Sequence, residues 1–279
     1  MKHTLPIVAV LLAFACSTPS TETDLQTILL PSPQSPLIAL RVTFDAGSIY
    51  DPPGREGLAA LTASMISDAG TAKRTYTELG EALYPLAVAI RGWTDREISV
   101  FSAQVHRERL DELTDVFVEV LLEPGFREED FERNREQLLG TLTSTLRSGN
   151  DELLGLEMIQ QAVFAGHPYG HASQGTVEGL AAVTLDDVKT FYRDHYVRSS
   201  AMLGIAGGYP EGYDRRLQEA LGALPEGGAG RLALPSPTKP SGRRFTCRWA
   251  GHAHDLGRIG EPARRAPSRG PVRQPSAFR

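Results

Sequence analysis

The sequence predicts an α+β domain, a mixed or antiparallel sheet with helices packed on one face. Three observations carry this. Apolar, β-rich runs come in pairs, 25–30 with 37–45 and 86–90 with 98–105. Long segments with the apolar spacing of helices lie between and after them. The regular strand–helix–strand rhythm of a parallel sheet is missing.

Taken in order, 25–30 and 37–45 read as two strands around a turn punctuated by Pro31, Pro33 and Pro36. Residues 47–54 form a loop. Segment 57–69 places Leu58, Leu61, Met65 and Ile66 at helical spacing. Thr75 opens a short helix to about 83. Strands 86–90 and 98–105 follow, with Gly92-Trp93-Thr94-Asp95 as the turn between them. In 109–122 the residues Leu110, Leu113, Val116, Phe117 and Val120 repeat as a stripe, and Pro124-Gly125 stops that helix. A long charged helix is predicted over 128–147, the run from Arg127 to Glu136 forming a solvated face. Asp151 caps a helix to about 164. His167-Pro168-Tyr169-Gly170 makes a turn, and Thr184 before Asp186 and Asp187 starts a helix ending near 196. Residues 201–206 make a small-residue strand ending at Gly207-Gly208, and 213–221 a last helix.

Of the 279 residues, 41% are hydrophobic and 23% charged, which suits one large domain with or without a fragment of another. A net charge of -5 points to neither nucleic acid nor a membrane surface as partner. The charge is uneven: 225–279 holds 11 Lys+Arg against 3 Asp+Glu, leaving -13 for the remainder. Residues 1–15 read as a signal peptide, with Lys2 and His3 before an apolar run over 5–14 that is short for a bilayer span. Ala13-Phe14-Ala15 offers a cleavage site before Cys16, the place a bacterial lipoprotein carries its lipidated cysteine, although Leu12 stands one position early. The expectation is an exported protein of the periplasm or outer membrane, touching membrane only through a lipid on Cys16; simple secretion is the alternative. Residues 16–24 are then a tether. Cys16 and Cys247 are the two cysteines, so with Cys16 acylated the fold rests on its core. The domain spans 25–224. The basic Pro/Gly/Arg-rich tail, 225–279, reads as disordered, or as a second domain begun at Arg243-Arg244-Phe245-Thr246 and truncated or frame-shifted.

Several segments together resemble the insulinase/pitrilysin family of metallopeptidases, which includes the mitochondrial processing peptidase. They are Phe44-Asp45-Ala46-Gly47-Ser48 with Asp51-Pro52-Pro53-Gly54-Arg55-Glu56-Gly57-Leu58-Ala59, then 126–142, the turn at His167, Gly175-Thr176, Phe191-Tyr192 to Tyr196, and Gly207-Gly208. Each is weak by itself; their order and spacing are specific. The resemblance implies an inverted zincin, in which a His-x-x-Glu-His helix supplies two zinc ligands and a general base, and a later Glu the third ligand. Here the histidine positions fall on Ala60 and Ser64, the base on Ala63, and the third ligand on Thr141. Alanine neither binds metal nor moves protons, and the two hydroxyls are poor zinc ligands. No cofactor is therefore expected, although the family's is zinc.

Other candidates weigh less. Pro168 and Gly170 break any helix between His167 and His171, so His167 reads as a turn residue. His252-x-His254-Asp255 sits in the tail, His106 and His195 read as surface or helix-end residues, and Ser64 lacks a nucleophile's glycine elbow. Trp93 and Tyr84 read as packing residues. The 86–101 strands fall where family members pair with a substrate strand, and such backbone pairing needs no zinc. The resemblance thus implies a non-catalytic partner of an active zinc-peptidase sister subunit in the bacterial envelope. The alternatives are an envelope scaffold of the same fold, an active zinc peptidase with atypical ligands, or a non-functional gene fragment.

Overall fold

The computed structural model describes residues 25–146, 151–228, 230, 232–236, 244–249 and 252–258. The expected signal peptide, the tether and Cys16 lie outside them. Strands β1 (Gln26–Pro31), β2 (Leu37–Phe44), β3 (Arg91–Thr94), β4 (Ser99–His106) and β5 (Ala201–Gly207) form one sheet in the order β1-β5-β2-β4-β3. β1 runs parallel to β5 and the other pairs are antiparallel, so the sheet is mixed, as predicted. Along β2 the side chains alternate: Ile38, Leu40, Val42 and Phe44 are buried, while Leu37 and Arg41 are exposed. One face therefore takes the helices.

Those helices are α1 (Leu58–Ser67), α2 (Tyr76–Leu83), α3 (Leu110–Leu122), α4 (Glu128–Gly140), α5 (Asp151–Val163), α6 (Val177–Ala182), α7 (Leu185–His195) and α8 (Tyr213–Leu221). Phe44 and Phe101 from the sheet and Tyr196 beyond α7 meet with ring centroids 5.0–6.1 Å apart at the centre of the core. Burying a side chain of that size stabilises by about 1.5–3 kcal/mol. Thr75 and Thr184 each make a reciprocal capping box, with Glu78 and Asp187, where the sequence places helix starts.

Four expectations need correction. β1 and β2 are not neighbours, because β5 inserts between them. Ser32 N–H donates to Gly207 O at 2.8 Å, and a Cβ on Gly207 would stand 2.1 Å from Leu37 O, so only glycine fits there. Residues 86–90 are not a strand. Pro85 sits in a 3₁₀ turn, Tyr84–Leu86, and Ala87 is left-handed (φ 52°), which delays β3 to Arg91. Gly92, Trp93 and Thr94 consequently lie in β3, and the reversal falls between Asp95 and Ile98. The long fourth helix stops being α-helical at Gly140 and continues as a π-helical turn, Thr141–Leu146. There the Thr141, Thr143 and Ser144 hydroxyls bond back to carbonyls four residues earlier. In the tail, β6 (Arg244–Trp249) and β7 (His252–Arg258) pair as an antiparallel hairpin, where either disorder or the start of a truncated second domain was expected. The basic composition of the whole tail masks two short runs able to pair.

Candidate functional site

Helix α1 is the centre of the candidate site. It begins at Gly57, which is left-handed (φ 110°) and would clash with Leu180 if it carried a Cβ, at 2.8 Å. Gly57 has no side chain to cap the helix. The cap comes instead from Asp51, whose two carboxylate oxygens accept from Gly57 N–H and Ala59 N–H, both at 2.7 Å. Burial pushes the Asp51 carboxyl up to about 7, against the pull of those two hydrogen bonds. Arg55, in the same loop, pairs with Asp187 of α7.

Along α1 the apolar positions and Ala63 are buried, while Ala60 and Ser64 are half-buried. Ser64 donates to Asn134 Oδ1 of α4 at 2.7 Å. Asn134 is 1% exposed, and its amide donates to Asp130 O at 2.8 Å. Asp130, also buried, pairs with Arg133 at 2.5 Å and accepts from Gly70 N–H at 3.2 Å. Burial raises the nearby Asp68 carboxyl, while the Ser67 hydroxyl and Arg133 oppose the shift. The α1–α4 seam is thus a connected polar network. Thr141 follows the end of α4, exposed, with its hydroxyl on Gln137 O at 3.0 Å.

Of the four predicted positions, α1 carries Ala60, Ala63 and Ser64, and the hydrogen bond from α4 reaches Ser64 through Asn134, not Thr141. Asn134 was not singled out in the sequence. It stands seven residues before Thr141, hence on nearly the same helix face, and is an amide among charges. Asp51 was also missed as a cap, because it acts across a loop of six residues. The side chains do not fit a zinc ion: two methyl groups offer no donor, and both hydroxyls donate elsewhere.

Strand β3 passes close to α1. A Cβ on Gly92 would meet Ser67 Oγ at 2.5 Å, and Thr94 Oγ1 donates to Ala59 O at 3.4 Å. β3 ends the sheet, so its outer backbone edge has no strand beside it among the described residues, and Trp93 on it is 45% exposed. His167, His106 and His195 serve local structure. His167 Nδ1 accepts from Tyr169 N–H at 3.1 Å, and its Nε2 lies 2.8 Å from Pro235 O. His106 accepts from Glu108 N–H, and His195 lies between the rings of Tyr50 and Phe191, burial lowering its pKa.

The profile of the Insulinase (Peptidase family M16) family matches residues 27–176, from β1 to the start of α6. This chain belongs to the insulinase family. Among relatives, it is 26% identical over 166 residues to a probable mitochondrial-processing peptidase subunit beta of Arabidopsis thaliana, covering 60% of this chain and 31% of that protein. It is 24% identical over 195 residues to a Helicobacter pylori protein described as a non-peptidase homolog, covering 70% and 44%. In fold it is similar to the crystal structure of a peptidase M16 inactive domain from Pseudomonas fluorescens, with TM-score 0.71, 22% identity, and 80% of this chain and 54% of that chain covered. This insulinase-family chain spans less than half the length of these two curated relatives. Their names include both a peptidase subunit and a non-peptidase, so the family does not by itself decide catalysis.

Proposed function

We propose that this chain is a non-catalytic insulinase-family homologue that acts as partner subunit to a zinc-dependent peptidase of the bacterial cell envelope, reaching it as an exported lipoprotein acylated on Cys16. The observation that carries the reading is the content of the α1–α4 seam. The positions at which the resemblance expects two histidines, a base and a glutamate hold Ala60, Ser64, Ala63 and Thr141. Catalytic zinc needs three protein ligands and an open position, and general-base catalysis needs a titrating group. Those four positions supply neither; the Ser64–Asn134 bond joins the two helices instead. What supports a remaining role in peptide handling is the β3 edge, whose backbone can pair with an extended peptide whether or not metal is present.

The test is made on the full chain, incubated with zinc, dialysed, and assayed for bound metal and for cleavage of a mixed library of unstructured peptides. The expected result is no chelator-sensitive cleavage, together with co-purification of a zinc peptidase when the chain is isolated from its native envelope. Chelator-sensitive cleavage that is lost in Ser64→Ala or Thr141→Ala would return the chain to the enzymes. Isolation as a homodimer with no peptidase attached would favour the scaffold reading.

A further inference from the structure

The start of α1 holds a carboxylate without a permanent counter-charge among the described residues. The Asp51 side chain has no solvent exposure. Its hydrogen bonds come from backbone N–H groups, and the nearest arginine in sequence, Arg55, is engaged by Asp187. The groups facing it come from three places. Glu56, from its own loop, adds like charge; Tyr196, beyond α7, is a buried phenol that burial keeps protonated. His171, from the loop between α5 and α6, puts Nδ1 4.0 Å from Asp51 Oδ2, with its side chain 16% exposed. Within that same buried turn, the Ser48 hydroxyl has no hydrogen-bond partner among the described residues and so does not relieve the charge.

The His171 loop lies directly on the residues that Asp51 caps. Thr176 N–H donates to Glu56 O at 3.1 Å, and a Cβ on Gly175 would stand 2.3 Å from Gly57 Cα. Arg96 holds the loop's other side through the carbonyls of Tyr169 (3.0 Å) and His171 (2.7 Å). His171 Nδ1 is 3.0 Å from Ala172 O, so a hydrogen on that nitrogen is directed at the carbonyl, with Asp51 beside it at 4.0 Å.

We propose that Asp51 and His171 form a pH-sensitive latch that fastens the loop between α5 and α6 to the N-terminus of α1 on the acidic side of neutrality and loosens it as the pH rises. The reason is charge balance in a buried place. With a proton on the Asp51 carboxyl, no net negative charge is buried there. When that proton leaves, a carboxylate is left inside beside Glu56, and hydrating it by opening the loop becomes easier. The sign follows from burial, which raises the Asp51 carboxyl from 3.8 to about 7. The closed form binds a proton that an opened, hydrated Asp51 releases at lower pH. Opening therefore grows as the pH rises toward 7 and levels off above it.

Hydrogen exchange of the segment carrying Gly57 N–H and Ala59 N–H tests this on the full chain between pH 5 and 8. After correction for intrinsic exchange, the opening equilibrium is expected to rise by up to about tenfold per pH unit below 7 and to plateau above it. Asp51→Asn should remove the pH dependence, and His171→Gln, which takes away the loop side chain facing Asp51, should raise opening several-fold across the range. Should Asp51→Asn not fold, infrared spectroscopy of the unsubstituted chain with labelled aspartate should show a protonated buried carboxyl titrating near neutrality and shifted by His171→Gln. Opening that is independent of pH, a slope that survives Asp51→Asn, or no carboxyl titrating near neutrality would each overturn the latch.

Discussion

Helix α1 is fastened at two places by different physics. At its first turn, a wholly buried carboxylate accepts two backbone hydrogen bonds, with His171 Nδ1 4.0 Å away. Halfway along, a serine hydroxyl meets a buried amide, and no charge is involved in that contact. A buried charge strengthens a cap but ties it to pH, because its neutral form is always within reach. A neutral hydroxyl–amide bond is weaker and indifferent to pH. The second attachment lies on the helix face where the family resemblance places metal chemistry. There a neutral hydroxyl–amide bond joins α1 to α4.

The largest effect should come from Asp51→Ala, which leaves the Gly57 and Ala59 N–H groups buried and unpaired. A loss of about 2–4 kcal/mol is expected in urea unfolding at pH 6. That loss should shrink toward pH 8, because the unsubstituted protein itself weakens as Asp51 gives up its proton. A cost that stays constant or grows with pH would break the contrast between the two attachments. Next comes Asn134→Ala, expected to cost about 1–3 kcal/mol through the unpaired Ser64 hydroxyl and the lost bond to Asp130 O. Ser64→Ala alone should cost about 0.5–1.5 kcal/mol, and the double variant should recover part of the sum, since the two side chains share one bond. The coupling between Ser64 and Asn134 should be equal at pH 6 and pH 8. The smallest effect is Thr141→Ala: its exposed hydroxyl bonds only to its own helix, so stability should stay within about 0.5 kcal/mol. A loss several times larger would mean that Thr141 takes part in the seam after all.

Much of the fold was legible in the sequence where the signal is local. The stripe from Leu110 to Val120 marks α3, Thr184 with Asp187 marks the start of α7, and 213–221 coincides with α8. Failures occur where a local pattern competes with a partner far along the chain. The prolines after β1 suggest a hairpin, yet the slot beside β2 is taken by β5, some 165 residues later. The apolar run at 86–90 has the composition of a strand, but Pro85 and the left-handed Ala87 give it a turn. At the site, the family resemblance led to α1 and to α4, both of which the structure places side by side. It did not lead to Asn134 or to Asp51, whose roles depend on which loop and which helix lie across from them.

The sequence by itself determined the class of the fold, the helix starts at Thr75 and Thr184 and the chemistry available at Ala60, Ala63, Ser64 and Thr141. Those depend on residue type and on spacing within a few turns of chain. Strand order, the partner of Ser64 and the burial of Asp51 were decided only by the tertiary structure. Each arises from segments that are distant in sequence and meet only when the sheet and its helices close around one core. Hydrogen bonding and desolvation act over a few ångströms of space, whatever the separation along the chain.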